Sequence, residues 1–205
     1  MTTPHAAVDA MNKATQRGQA LKRRNALSEA ERARLSEAIA ERAGDIMVSL
    51  LPDCVALYRP IGSECETRAI MVKATSTGAE VALPAIIDKT TILFRRFMPG
   101  DTLVAGGFGT TFPSARAPTV EPDVIVLPVV AFDRNGTRLG YGRGFYDRAI
   151  ARQRAAGRSP KLIGIAFSVQ EVEGIPQEPH DVRLDWIVTD KEVLDFTGGP
   201  AARGG

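Results

Sequence analysis

Three glycines, Gly140, Gly142 and Gly144, alternate along a short segment between a predicted buried strand and a predicted helix. Glycine lets backbone amides approach a ligand closely, and a helix N-terminus presents unpaired N–H groups and the positive end of the helix dipole. Arg143 lies within the segment and adds a charged side chain. The pattern favours a phosphate cradle. The alternative is a glycine-rich turn, since the spacing matches neither the dinucleotide-binding fingerprint nor the P-loop.

A pair of basic residues near the beginning of the chain suits the same kind of ligand. Lys13 and Arg17 are one helical turn apart in a predicted helix, so both side chains can project from one face towards a polyphosphate. Seven basic and two acidic side chains lie within residues 13–34, a net charge of +5 for that segment. The alternative for the pair is a solvated helix face.

Two acidic positions could bear on the same chemistry. Asp147 falls in the first turn of the predicted helix, where a carboxylate can either ligate a metal or favour the helix dipole. His180 stands beside Asp181 in a predicted loop. That histidine is a candidate general base, and the alternative is a structural hydrogen-bonding role.

Four segments are predicted to form helices that carry or flank these residues. The second is the best marked, because Ser28 and Glu31 match a capping box and apolar residues then recur at three- and four-residue spacing. The predicted helices are residues 6–26, a segment that begins at Ser28 and extends to about Leu50, residues 67–76 and residues 145–156.

Six short apolar runs separated by Gly, Pro and polar clusters are predicted to form strands. They are residues 54–58, 80–86, 91–97, 124–130, 161–167 and 184–188. Several, notably residues 124–127, are continuously apolar, which is typical of strands covered on both faces. Since strands and helices interleave, we expect an α/β layered fold with a largely parallel central sheet and flanking helices.

Composition and length bound the class of protein. A chain of 205 residues can bury one substantial core, so a single domain over residues 1–197 with a flexible tail at residues 198–205 is expected. The longest apolar run, residues 124–132, is far shorter than the roughly 20 residues needed to cross a membrane. No secretory signal is visible in the first residues, and a cytoplasmic location is expected.

Charge and cysteine usage exclude further classes. The net charge of +2 is too balanced to predict nucleic-acid binding from the whole chain. Cys54 and Cys65 form no C-x-x-C pair or Cys/His cluster, so neither a zinc site nor a disulfide framework is predicted.

Residues 122–147 resemble the signature of the 5-formyltetrahydrofolate cyclo-ligase family. That signature is an apolar strand, a D-x-x-G-x-R-L-G turn and a G-x-G-[FY]-Y-D ending, and residues 133–147, which follow the strand, read DRNGTRLGYGRGFYD. At the N-terminus the family has a K-x-x-x-R pair and an L-S-x-x-E-R helix start, which Lys13, Arg17 and residues 27–32 match. Gln16 replaces the leucine that often precedes the arginine.

Two more stretches are similar to family motifs. Residues 58–67, YRPIGSECET, resemble Y-x-P-x-x-x-E-[VIC]-[DE]-T, in which the second acid contacts the pterin and an apolar residue packs on it. By position these are Glu66 and Ile61, although Glu64 is close enough that the two acids could be reversed. Residues 176–190 resemble a motif in which Asp181 corresponds to a magnesium-associated acid.

The resemblance implies ATP-dependent closure of 5-formyltetrahydrofolate to 5,10-methenyltetrahydrofolate, with ATP and Mg²⁺ as cofactors and Asp147 and Asp181 as metal ligands. Arg143 and Tyr146 would be catalytic, and Ile61, Glu66 and residues 141–145 would bind folate. The nucleotide would contact Lys13, Arg17, Arg138, Leu139, Gly140, Tyr141, Gly142, Arg143, Gly144, Phe145 and Tyr146.

The partners expected from the resemblance are the two small-molecule substrates, without nucleic acid or membrane, and the protein would be a monomer or a weak homo-oligomer. Two alternatives stay open. A divergent member of the family could act on a non-folate substrate, or the chain could bind nucleotide without catalysis.

Overall fold

The computed structural model describes residues 4–178 and 181–198. The predicted tail at residues 198–205 therefore lies, except for Gly198, outside the described residues, as does His180. The described helices are α1 (Pro4–Asn25), α2 (Glu29–Leu50), α3 (Arg68–Ser76) and α4 (Phe145–Ala155), with short 3-10 turns at Gly107–Gly109 and Ser168–Gln170. In the described ranges no helix has the length and apolarity to cross a membrane.

The strands lie where the apolar runs predicted them, with additional short hairpin strands. They are β1 (Cys54–Ala56), β2 (Glu80–Ile86), β3 (Ile92–Arg96), β4 (Leu103–Ala105), β5 (Thr111–Pro113), β6 (Val124–Pro128), β7 (Ala131–Phe132), β8 (Arg138–Leu139), β9 (Lys161–Ile165), β10 (Trp186–Val188) and β11 (Val193–Asp195).

A seven-stranded sheet, counted over the described residues, forms the centre of the molecule in the order β11-β10-β9-β6-β1-β2-β3. The five inner strands run parallel, whereas β3 and β11 pair antiparallel at the two edges. Separate antiparallel hairpins are formed by β4 with β5 and by β7 with β8. The predicted α/β class with a largely parallel sheet is confirmed.

Successive residues of β6 pack into two different layers of core. Val124 and Val126 belong to a cluster that includes residues of α2 and α3. Ile125 and Leu127 face the opposite side, in a cluster that includes residues of α4. Because side chains alternate across a strand, a continuously apolar run is what a strand covered on both faces requires.

The predicted capping box begins α2. Ser28 Oγ accepts a hydrogen bond from Glu31 N at 3.3 Å, and Glu31 Oε2 accepts one from Ser28 N at 2.8 Å. These contacts satisfy backbone donors that would have no partner within the helix. The prediction from sequence is confirmed.

Helix α1 packs beside the sheet against β7 and the Ser168–Gln170 turn. Ala20 is fully buried there, in a small cluster with Ala131, Leu139 and Ile175. This packing places the basic face of α1 next to the segment that follows β8, where the alternating glycines lie.

Candidate active site

Two loops leave the sheet from the carboxyl ends of neighbouring parallel strands. Strand β1 leads into the acid loop, which we define as residues 59–66, and β6 leads through the β7–β8 hairpin into the glycine loop, residues 140–144. Ligands of open α/β sheets bind in the crevice outside the carboxyl ends of the strands. The fold therefore brings together two segments that the sequence marked separately.

Asp133 fixes the hairpin that precedes the glycine loop. Its Oδ1 accepts hydrogen bonds from Asn135 N at 2.9 Å and Thr137 N at 3.0 Å, and its Oδ2 accepts one from Ile175 N at 3.1 Å. The carboxylate is buried and acts here on backbone amides. The first acid of the D-x-x-G motif thus shapes the turn.

The glycine loop adopts backbone conformations that favour glycine. Gly142 has φ +85° and Gly144 has φ +63°, and α4 begins immediately afterwards. Arg148 closes the turn, because its Nη2 donates to Arg143 O at 2.6 Å. A Cβ on Gly144 would lie 2.8 Å from Arg148 Nη1, the movable end of a long side chain, so the positive φ and not the space is what favours glycine here.

Helix α1 reaches the glycine loop through Arg17. Its Nε donates a hydrogen bond to Gly140 O at 2.7 Å, and a Cβ on Gly142 would lie 3.7 Å from its Nη2. The guanidinium therefore lies directly against the loop. A polyphosphate bound to the amides of this loop would lie within reach of the Arg17 guanidinium.

Lys13, one helical turn before Arg17, is buried and forms ion pairs with two carboxylates. Its Nζ lies 2.8 Å from Asp181 Oδ2 and 3.1 Å from Glu178 Oε1. Burial lowers the pKa of Lys13, but the hydrogen bonds and charges of the two carboxylates outweigh burial and hold the pKa above its ordinary value. The side chain is therefore an ammonium at neutral pH.

Asp147 is also paired with a cation. Arg138 Nη2 donates to Asp147 Oδ1 at 2.7 Å, and Arg138 Nη1 donates to Val182 O. Val182 N lies 3.4 Å from the same Asp147 oxygen. Since Val182 follows Asp181 in the chain, the two aspartates predicted as metal ligands lie close to one another.

Carboxylate oxygens are the ligands that Mg²⁺ prefers, and this ion usually keeps waters and substrate phosphates among its ligands. Two neighbouring aspartates beside the glycine loop fit such a partial site. A set of three or more His, Cys, Asp or Glu side chains positioned for a metal does not occur in residues 4–178 and 181–198. Magnesium ligation by Asp147 and Asp181 stays a prediction.

The acid loop is held by its own hydrogen bonds. Glu64 Oε2 accepts from Ile61 N at 2.9 Å, Tyr58 Oη donates to Cys65 O at 3.1 Å, and Thr67 Oγ1 donates to Tyr58 O at 2.7 Å. Glu64 is buried, and Ile61 is partly exposed. These contacts give the loop a defined shape next to the sheet.

The two acids of this loop occupy different environments. Burial raises the pKa of Glu64, and the Ile61 amide, the Tyr141 hydroxyl and the charge of Arg24 oppose that rise. Glu66 is exposed, and its amide donates to Ser36 Oγ at 3.1 Å. Glu64 thus has the contact with the glycine loop, whereas the sequence interpretation favoured Glu66 as the binding acid.

The residues that follow the glycine loop differ in exposure. Arg143 and Tyr141 are exposed, whereas Phe145 and Tyr146 pack partly into the core. Burial, with a smaller contribution from the charge of Glu64, raises the pKa of Tyr146 well above its ordinary value. Tyr146 is therefore a neutral phenol near pH 7, which can donate a hydrogen bond but does not act as a phenolate base.

Sequence reasoning missed two arginines that shape the site. Arg148 donates a hydrogen bond to the backbone of the glycine loop, and Arg24 contacts both the glycine loop and the acid loop. A signal for Arg24 was present. It follows Lys13 and Arg17 at spacings of eleven and seven residues, which places all three on one face of a helix.

The sequence model of the 5-formyltetrahydrofolate cyclo-ligase family matches residues 9–190. The chain belongs to this family. The family member from Mycolicibacterium smegmatis named 5-formyltetrahydrofolate cyclo-ligase is 33% identical over 180 residues, which cover 83% of this chain and 90% of that protein. The Escherichia coli protein of the same name is 29% identical over 180 residues, which cover 85% of this chain and 98% of its own length.

Two solved structures of similar proteins share the fold. The NMR structure of Aquifex aeolicus 5,10-methenyltetrahydrofolate synthetase has a TM-score of 0.78 and 32% identity, and the match covers 94% of this chain and 96% of that one. A 5,10-methenyltetrahydrofolate synthetase from Mycoplasma pneumoniae has a TM-score of 0.71 and 27% identity, with 87% and 98% covered.

Proposed function

We propose that this chain catalyses the ATP-dependent closure of 5-formyltetrahydrofolate to 5,10-methenyltetrahydrofolate, with release of ADP and phosphate. The names of its family and of its relatives support this reaction. One structural observation carries the proposal. The glycine loop, the basic face of α1 and the acid loop meet outside the carboxyl ends of the parallel strands. A phosphate-binding segment there adjoins a segment suited to a heterocycle.

The nucleotide phosphates would bind the glycine-loop amides and the N-terminus of α4, with Arg17 and Lys13 beside them. Arg143, exposed on the loop, would approach the transferred phosphoryl group. Cations and amide donors placed before the reaction stabilise charge that develops on phosphoryl oxygens without further reorganisation. No Ser-His-Asp or Cys-His set is needed for this chemistry.

Asp147 and Asp181 would hold Mg²⁺ together with the phosphates. The bound ion would neutralise negative charge on the phosphoryl oxygens. In the structure the two aspartates neutralise Arg138 and Lys13. Binding of a metal–polyphosphate complex would exchange these ion pairs for carboxylate–metal and cation–phosphate contacts, which keeps the charges matched.

Folate would lie along the acid loop, and we propose Glu64 as the acid that faces it. A pterin edge offers adjacent N–H donors, which a carboxylate accepts as a pair. Glu64 is fixed by Ile61 N and lies beside Tyr141 of the glycine loop. Its position next to the phosphate segment supports the assignment over Glu66.

The reaction would proceed in two displacements. The formyl oxygen attacks the γ-phosphorus, and the bond to the bridging oxygen of ADP breaks with its electron pair. N10 then attacks the activated formyl carbon, loses its proton, and the carbon–oxygen bond breaks to release inorganic phosphate. The protein's task in both steps is to align the reactants and to balance phosphoryl charge.

The deciding experiment is the absorbance of the methenyl chromophore after purified protein is mixed with 5-formyltetrahydrofolate and MgATP. We expect product only when all three are present. Controls omit ATP or remove Mg²⁺ with a chelator. A folded protein that forms no methenyl product under the complete conditions would contradict the proposed function.

A further inference from the structure

Arg24 is a buried arginine that contacts both loops of the candidate active site. Its relative exposure is 4%. Its Nε donates to Ser63 Oγ at 2.9 Å and its Nη2 donates to Tyr141 Oη at 2.9 Å. Ser63 belongs to the acid loop and Tyr141 to the glycine loop, so a single side chain of α1 bridges the two segments.

The surroundings of Arg24 suit a buried charge. The guanidinium carbon lies 5.9 Å from the centroid of the Tyr141 ring, a cation–π distance. Its charge also opposes the rise that burial causes in the pKa of both Glu64 and Tyr141. A buried charge is costly unless its donors are satisfied, so the contacts of Arg24 depend on one relative placement of the two loops.

We infer that Arg24 is a positioning residue, which holds the glycine loop and the acid loop in register so that nucleotide and folate meet in the geometry of phosphoryl transfer. The inference rests on the proposed function. Arg24 acts through Tyr141 and Ser63 and need not touch either substrate. Misplacement of reacting groups by about 1 Å can cost about 10²-fold in rate, so a lost bridge should act mainly on turnover.

The test compares two adjacent arginines of α1. Arg24→Gln should lower kcat about 10- to 100-fold, with less than about threefold change in the KM of either substrate. The matched control is Arg23→Gln, because Arg23 is exposed and donates to Val169 O and Glu171 O, outside both loops. The control should keep wild-type kcat. Equal effects in the two variants would overturn the positioning role.

A second variant separates positioning from general stability. Tyr141→Phe removes the oxygen that accepts from Arg24 at a side chain that is 43% exposed. If Arg24 acts through Tyr141, the double variant should be no slower than the slower single variant. Multiplicative losses would overturn the inference. If Arg24→Gln does not fold, Tyr141→Phe alone tests the inference. A wild-type kcat in Tyr141→Phe would then overturn it.

The activity of the wild-type protein separates a failure of the proposed function from a failure of the positioning role of Arg24. An inactive wild-type protein would contradict the proposed function, and the inference with it. An active wild type combined with an Arg24→Gln variant that matches its Arg23→Gln control would contradict the positioning role alone.

Discussion

Lys13 Nζ donates a hydrogen bond to Asp181 Oδ2 at 2.8 Å, although the two residues are 168 positions apart in the chain. The cation predicted to bind phosphate and an acid predicted to bind Mg²⁺ are therefore partners of one another in the structure. Glu178 Oε1 is the second carboxylate oxygen near Lys13, at 3.1 Å. Two acids thus share one ammonium, and only one of them is a predicted metal ligand.

This arrangement predicts different effects for two neutralising substitutions. Asp181→Asn should raise the Mg²⁺ concentration needed for half-maximal activity by at least about tenfold, because a metal ligand is lost. Glu178→Gln should change it much less. The Mg²⁺ concentration for half-maximal activity of each variant is measured by titrating Mg²⁺ at saturating ATP and folate. Equal shifts would show that Asp181 serves only to neutralise Lys13.

The acid loop predicts a difference between its two glutamates. Glu64→Gln replaces an acceptor pair by one acceptor and one donor, which should weaken folate binding by about 1–3 kcal/mol. The KM for ATP should change less. The same substitution at Glu66 should have the smaller effect on the KM for folate. A larger folate defect in Glu66→Gln would favour the original interpretation of the sequence.

Arg143→Ala should reduce turnover by about 10²–10³-fold, the typical loss when a donor to developing charge is removed. Because Arg143 is exposed on the glycine loop, the thermal midpoint should stay near that of the wild type. Arg158→Ala is the control, since Arg158 is exposed beyond the far end of α4. Turnover within twofold of the wild type would make Arg143 a loop residue without a catalytic role.

Two glycine substitutions should change stability in opposite directions. A Cβ on Gly164 would lie 2.4 Å from Leu184 Cδ1, so Gly164→Ala should destabilise by about 1–3 kcal/mol. Gly18 lies within α1 and has no neighbouring atom within 4 Å of a Cβ, so Gly18→Ala should stabilise by about 0.5–1 kcal/mol. Chemical denaturation measures both, and a shift of the same sign in the two variants would refute the packing argument.

The fate of the formyl oxygen separates phosphoryl activation from acid-assisted dehydration. In the activation route this oxygen attacks the γ-phosphorus and leaves as part of inorganic phosphate. Substrate labelled with heavy oxygen at the formyl group should therefore give one label in phosphate per turnover, detected by mass spectrometry. Unlabelled phosphate, after solvent exchange of the formyl oxygen has been excluded, would refute the mechanism.

Local signals in the sequence were sufficient for most of the fold. The capping box at Ser28 and the strand over residues 80–86 appear in the structure at the predicted positions. The β4–β5 and β7–β8 hairpins and the edge strand β11 were missed, because these strands have only two or three residues and lack an alternating pattern. Strands of that length are defined by their partners more than by their own residues.

The site was predictable in its parts but not in its pairings. Motifs located the glycine loop, the basic helix and the acids. They did not show which of Glu64 and Glu66 is buried, because the inward direction of Glu64 depends on a turn in which Glu64 N donates to Ile61 O at 3.2 Å. The spacing of Arg24 from Lys13 and Arg17 places it on their helix face, but only the packing of α1 shows that Arg24 is buried and contacts both loops.

The family match ends at residue 190, just before β11, the antiparallel strand that flanks β10 at one edge of the sheet. Strand β10 has three residues, and without β11 its outer backbone donors and acceptors would face solvent as a template for another chain. With β11 in place the exposed edge at this side of the sheet is only three residues long and includes the charged Asp195, and short, charged edge strands are poor templates for pairing with another chain. This feature concerns the colloidal behaviour of the protein and is separate from the chemistry proposed for the loops that follow β1 and β6.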